Sequence, residues 1–127
     1  MPKFLVKAQY SSVAFRGLIE DPADRQTTTE KLLAGAGVTL HEWFFVPDTG
    51  ESMVPDTGES MVIVEGSHDQ VRLAGMVAMA TGAFANRHAV EIISSRELTT
   101  LAQNAADIGR DYVALNMDQI DRMLLDQ

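Results

Sequence analysis

Three histidines, His41, His68 and His88, carry the side-chain type most often used for general acid–base chemistry. His41 stands in the aromatic-rich run Val38 to Val46, and an imidazole suits a general base. It is the candidate catalytic residue. His68 follows Ser67 in what reads as a helix-capping sequence, where solvation is expected, and His88 neighbours Arg87 at a strand edge. No His-x-x-x-His spacing sets two of them on one helix face and cysteine is absent, so no metal or other cofactor is expected. The missing cysteines also exclude disulfides and thiolate nucleophiles. Ser11-Ser12 lacks the Gly-x-Ser-x-Gly setting of a hydrolase elbow, and neither glycine-rich phosphate-binding pattern occurs. With 10 basic against 18 acidic residues and a net charge of −8, the chain has little with which to hold nucleic acid. No stretch approaches the apolar length of a membrane span and no basic-then-apolar leader opens the chain, so a cytoplasmic protein is expected, not a membrane one.

These side chains need a scaffold, and the 127 residues are about one domain's worth. Phe4 to Tyr10 alternates as a strand; Ala14, Phe15, Leu18 and Ile19 follow at helical spacing until Asp21-Pro22, where the residue before proline leaves the α region. The helix is expected to restart at once with Asp21 as N-cap, its apolar face running Thr28, Leu32, Ala36, and to stop at Gly35 and Gly37. Val38–Val46 reads as a second strand, Met61–Glu65 as a third and Ala89–Ile93 as a fourth. Ser67 with Gln70 caps a helix that is apolar nearly all round, and Ser94 with Glu97 caps another. A last short helix is suggested by Asn116 and Gln119.

The order β-α-β-β-α-β predicts an α+β, ferredoxin-like fold: a four-stranded antiparallel sheet backed by helices on one face, with a C-terminal helical extension. A domain over 1–95 and an extension over 96–127, packed on the same domain or on a partner subunit, are the expected parts. Strand parity assigns Phe4, Val6, Ala8, Leu40, Phe44, Val90 and Ile92 to the helix side. Lys7, Gln9, His41, Trp43, Phe45, Arg87 and Glu91 then share the open face, with Lys7 and Glu91 as a cross-strand pair. An apolar ligand held by Lys7, Gln9, Trp43, Phe45 and Glu91 beside His41, or a homodimer interface anchored on Trp43 and Phe45, would occupy that face.

The octapeptide Val-Pro-Asp-Thr-Gly-Glu-Ser-Met occurs at 46–53 and again, letter for letter, at 54–61. It is too short for a solenoid unit. An even insertion between two strands keeps the alternation of both in phase, so the second copy reads as a lengthened turn or as an arm toward a neighbouring subunit.

Tyr10-Ser11 at the end of the first strand, Gly17-Leu18, Arg25, the aromatic second strand and the apolar third together resemble the GYD-domain family over residues 3 to 95. The resemblance implies a ferredoxin-like domain of the dimeric α/β-barrel type and no general activity. Its Gly-x-Tyr-Asp signature is not retained: Gly58-Glu59-Ser60-Met61 stands there, so no role of that Tyr-Asp pair is carried over. Met1-Pro2 at the head of a strand also resembles the tautomerase superfamily, which implies a proline amine as base once Met1 is lost. The expectation is a small homo-oligomeric domain that binds an apolar ligand or serves in assembly; the alternative is a cofactor-free isomerase using His41 or Pro2.

Overall fold

The computed structural model describes residues 1–47 and 57–111. In chain order the elements are β1 (Lys3–Tyr10), α1 (Ser12–Glu20), α2 (Arg25–Gly35), β2 (Thr39–Val46), β3 (Glu59–Glu65), α3 (His68–Ala80), β4 (Phe84–Ile92) and α4 (Ser95–Asp111). The strands form one antiparallel sheet in the order β2-β3-β1-β4, the ferredoxin-like α+β arrangement expected from sequence.

β3 shows why the sheet forms. Ser60, Val62 and Val64 alternate as buried residues with partly exposed ones, so a single face is apolar enough to collapse onto helices. That side packs Phe4, Val62 and Val64 against Leu33 of α2 and Val71 and Ala74 of α3, with Val38 closing the end. α3 begins with the expected capping box: the Ser67 hydroxyl accepts from Gln70 N at 3.1 Å, and Gln70 Oε1 accepts from Ser67 N at 2.9 Å. Its outer face leaves Leu73, Met76 and Val77 exposed.

Three local expectations are corrected. α2 is capped by Asp24, not Asp21: Asp24 accepts from Gln26 N at 3.1 Å and from the Thr27 hydroxyl at 2.8 Å, and these bonds hold its carboxyl below the usual carboxylate range. The inward face of α2 is accordingly Arg25, Thr29, Leu32 and Leu33, while Thr28 is exposed. β4 starts five residues earlier than its apolar residues indicate, at Phe84.

Residues 93–127 form a second unit, of which α4 is described. It carries its own capping box, Glu97 N to Ser94 Oγ at 3.1 Å and Ser94 N to Glu97 Oε1 at 3.3 Å, and an apolar stripe through Leu98, Leu101 and Ile108. The helix suggested near 116–124 lies outside the described residues.

Most of the duplicated octapeptide also lies outside them, but its two ends are anchored: Val46 pairs with Glu59 across β2 and β3, leaving 47–58 as the connection. Removing residues 54–61 puts the identical Glu51-Ser52-Met53 in the places of Glu59-Ser60-Met61 and joins them to Val46 through Pro-Asp-Thr-Gly alone, a four-residue loop with proline placed to start a type I turn. The deleted chain is expected to keep the sheet register and to gain about 1 kcal/mol from the shorter closure. A urea melt of the two chains checks this.

Candidate functional site

One row of the sheet explains where a cavity opens. Ala8 pairs with Ser60 on one side and Arg87 on the other, so the helix-facing centre of the sheet carries a methyl and a hydroxymethyl beside one long side chain. Opposite stand Ala74, Gly75 and Ala78 of α3, equally small, and the layers cannot touch. The gap is a cavity of about 80 Å³ between the sheet and helices α2 and α3. A buried water needs roughly 10–15 Å³ on this measure, so the space admits a small organic molecule.

Its walls are mostly apolar: Val6, Val62 and Val64 on the sheet, Leu32 and Leu33 on α2, Val71 on α3. Tyr10 and Phe84 stack at 5.3 Å at one end, and Phe45 lies 6.1 Å from Tyr10 behind them. Gly58, at φ +71°, lets this end close, because a Cβ there would strike the Phe45 ring.

Two guanidinium groups, Arg25 and Arg87, line the cavity. Arg87 extends from β4 across α3, where Nη2 donates to the Val71 carbonyl at 3.2 Å. Gly75 makes that path possible, since any Cβ at this position would overlap the guanidinium. A mid-helix glycine costs about 1 kcal/mol relative to alanine. Burial pushes the Arg87 pKa down, yet arginine remains charged. Neither arginine has an ion-pair partner among the described residues.

The residues expected to share the open face are divided by the structure. Lys7, Gln9 and His41 do lie on the side away from the helices, with Asn86 Nδ2 donating to Gln9 Oε1 at 3.0 Å. His41 sits in a bulge of β2, Nε2 3.6 Å from Glu65 Oε1. Trp43 and Phe45, in contrast, oppose Val62 and Ser60 and therefore face the helices. The bulge between Leu40 and Glu42 is the reason: one extra residue inverts every side chain after it. Phe44 is turned to the open face by the same step.

On β4 the register is Phe4 opposite Glu91 and Ala8 opposite Arg87, so Glu91 and Arg87 are on the helix side and Val90 and Ile92 on the open side. The expected Lys7–Glu91 pair does not form. Lys7 is opposite His88, and Glu91 Oε1 lies 3.8 Å from Nε2 of His68, whose ring meets Phe4 edge-on at 5.1 Å. Pro2 is at the other end of β1 from Tyr10, its carbonyl accepting from Gly66 N at 3.1 Å. Among the described residues no three acidic or histidine side chains gather as a metal site, and no helix is long and apolar enough to cross a membrane.

Arg87 and Gly75 were not singled out from sequence as partners. The available signal was a glycine in the middle of an otherwise unbroken helix, which often marks a close approach.

No family model matches the chain, and no curated protein matches it. Solved structures do. The 5-chloro-2-hydroxyhydroquinone dehydrochlorinase of Burkholderia phenoliruptrix AC1100, in complex with 2,5-dihydroxybenzoquinone, matches with a TM-score of 0.51 at 16% identity, over 75% of this chain and 97% of that one. A Nitrosomonas europaea protein assigned as an antibiotic biosynthesis monooxygenase matches at 0.41 and 8% identity, over 75% and 99%. A dimeric ferredoxin-like protein of unknown function from Thermobifida fusca matches at 0.39 and 16%, over 73% and 90%. At 16% identity the likeness to the dehydrochlorinase is one of fold, and the ferredoxin-like α+β architecture rests on the chain's own element and strand order.

Proposed function

We propose that this chain is a homo-oligomeric, GYD-like binding domain that holds a small, mostly apolar ligand in the cavity between its sheet and helices α2 and α3. The observation that carries this is the cavity itself, produced by small residues on both layers and walled by apolar side chains with a few polar groups, the usual form of a small-molecule site. Arg25, one of the residues on which the GYD resemblance rests, lines it. The quinone held by the dehydrochlorinase of the same fold supports a ring compound as ligand class. Oligomerisation through the open face of the sheet belongs to the same proposal, because Phe44 and Val90 are 49% and 55% exposed there.

The test is an NMR titration with catechol as a ring probe. Shifts confined to the cavity lining, and lost in Ala78→Phe, which fills the space from α3, support the reading. Shifts on the open face, or undiminished binding by Ala78→Phe, overturn it.

A catalytic reading has one observation in its favour: the 3.6 Å approach of Glu65 to His41, a carboxylate placed to orient an imidazole base. Phenylpyruvate tautomerisation lost in His41→Ala, with unchanged melting, supports it. Equal turnover in both chains, or none in either, overturns it. A Pro2 base would further require loss of Met1, which intact mass reads directly.

A further inference from the structure

We propose that the ligand of the cavity is a small carboxylate with an apolar body, and that Arg87 is the group that binds the carboxylate; this rests on the cavity being the binding site.

Arg87 lacks a counter-charge among the described residues. The sequence holds 18 carboxylate side chains, and the described ion pairs use Glu65, Glu91, Asp69 and Asp107, none of them with Arg87 or Arg25. Glu91, on the same strand and the same side of the sheet as Arg87, is turned to His68. A half-buried guanidinium with no anion is an unfavourable arrangement unless something else supplies the charge. An arginine serving the fold alone would take one of the many acids.

Guanidinium has five N–H groups, and among the described residues only one bond is made, to the Val71 carbonyl. That bond fixes the plane of the group and leaves the rest of the fork free for a two-oxygen anion. A carboxylate matches this fork, and a neutral ring has nothing to offer it.

Gly75 is buried in the middle of α3, and its missing side chain is what lets the guanidinium lie flat on the helix inside the cavity. Arg25, the first residue of α2, adds a second positive group to the same lining. In a chain of net charge −8, a cavity whose charged lining residues, among those described, are both cationic selects anions. The depressed pKa of Arg87, caused by burial, agrees with a group withdrawn from water.

Calorimetric titration of the full chain with sodium benzoate and with benzamide, its neutral counterpart, tests the assignment. Benzoate is expected to bind at least 30-fold tighter than benzamide. In Arg87→Met, which keeps the stem and removes the charge, that preference should vanish through loss of benzoate affinity while benzamide affinity holds. Should Arg87→Met fold poorly, Gly75→Ala provides the same test, because its methyl displaces the guanidinium while favouring the helix. Equal affinity of the two probes, or full benzoate affinity in a folded Arg87→Met chain, overturns the carboxylate assignment and leaves the cavity reading standing. If benzoate, benzamide and catechol all fail to bind in the cavity, both readings fall.

Discussion

Trp43→Glu is expected to leave the protomer largely unfolded at room temperature, while its neighbour Phe44→Glu leaves it folded. The two residues are adjacent, both aromatic and both on the edge strand β2. What separates them is the bulge at His41, which directs Trp43 toward Val62 and the core, and Phe44 toward Met61 on the open face. Truncating a packed tryptophan costs about 3–5 kcal/mol, and a carboxylate facing the same apolar surface adds the cost of desolvation. Against a total stability of roughly 5–15 kcal/mol for a domain of this size, little remains. Trp43→Phe gives the control. Trp43 Nε1 is buried with no hydrogen-bond partner among the described residues, so phenylalanine removes a dissatisfied donor along with part of the ring, and a loss under about 1.5 kcal/mol is expected. Far-UV circular dichroism and urea melts of the three variants decide the matter. If Trp43→Glu melts like the parent chain, Trp43 does not face the core.

How much of this was legible in the sequence varies with the physical signal. Strand and helix order was readable because each element carries its own boundary chemistry: Ser67 and Gln70 before α3, Ser94 and Glu97 before α4, the Asp21-Pro22 break between α1 and α2. Which side each strand shows to the helices was readable only for β1, where Phe4, Val6 and Ala8 alternate with more polar residues. β2 offers Trp-Phe-Phe-Val, apolar on both faces, so the alternation cannot reveal one inserted residue. β4 misleads outright, because its large aliphatic residues, Val90 and Ile92, face away from the helices and its charged ones, Arg87 and Glu91, face them. A residue's polarity predicts its side only when one side meets water. Here the open face carries Leu5, Ile63, Phe44 and Val90 in its middle, and the helix side carries a cavity with charge in it. The expected grouping of Trp43, Phe45, Arg87 and Glu91 on the open face does not form for that reason.

The same arrangement sets the second large effect. In the proposed assembly, Phe44→Glu combined with Val90→Glu converts the homo-oligomer to a folded monomer, raising the dissociation constant at least 100-fold. Phe44 lies level with Met61 and Lys7, and the next row sets Glu42, Ile63, Leu5 and Val90 side by side. Phe44, Met61, Ile63, Leu5 and Val90 thus form an apolar band through the centre of the face, interrupted by Lys7 and His88 and edged by Glu42, while Lys3, Glu65, Gln9 and Asn86 lie toward its ends. Two such faces stacked about 10 Å apart would interdigitate, and across a two-fold axis each substitution is present twice. Each introduced carboxylate would then be desolvated against apolar partners or face its own copy, and a 100-fold change is about 2.7 kcal/mol, less than two such burials cost. Because Phe44 and Val90 are about half exposed in the protomer, the monomer itself loses little, and its urea midpoint at low concentration should hardly move. Sedimentation velocity from 1 to 100 µM is the measurement. A parent chain that sediments as a monomer throughout removes the sheet-stacked assembly. A variant that stays oligomeric with its sheet intact shows that the contact is made elsewhere than on this face.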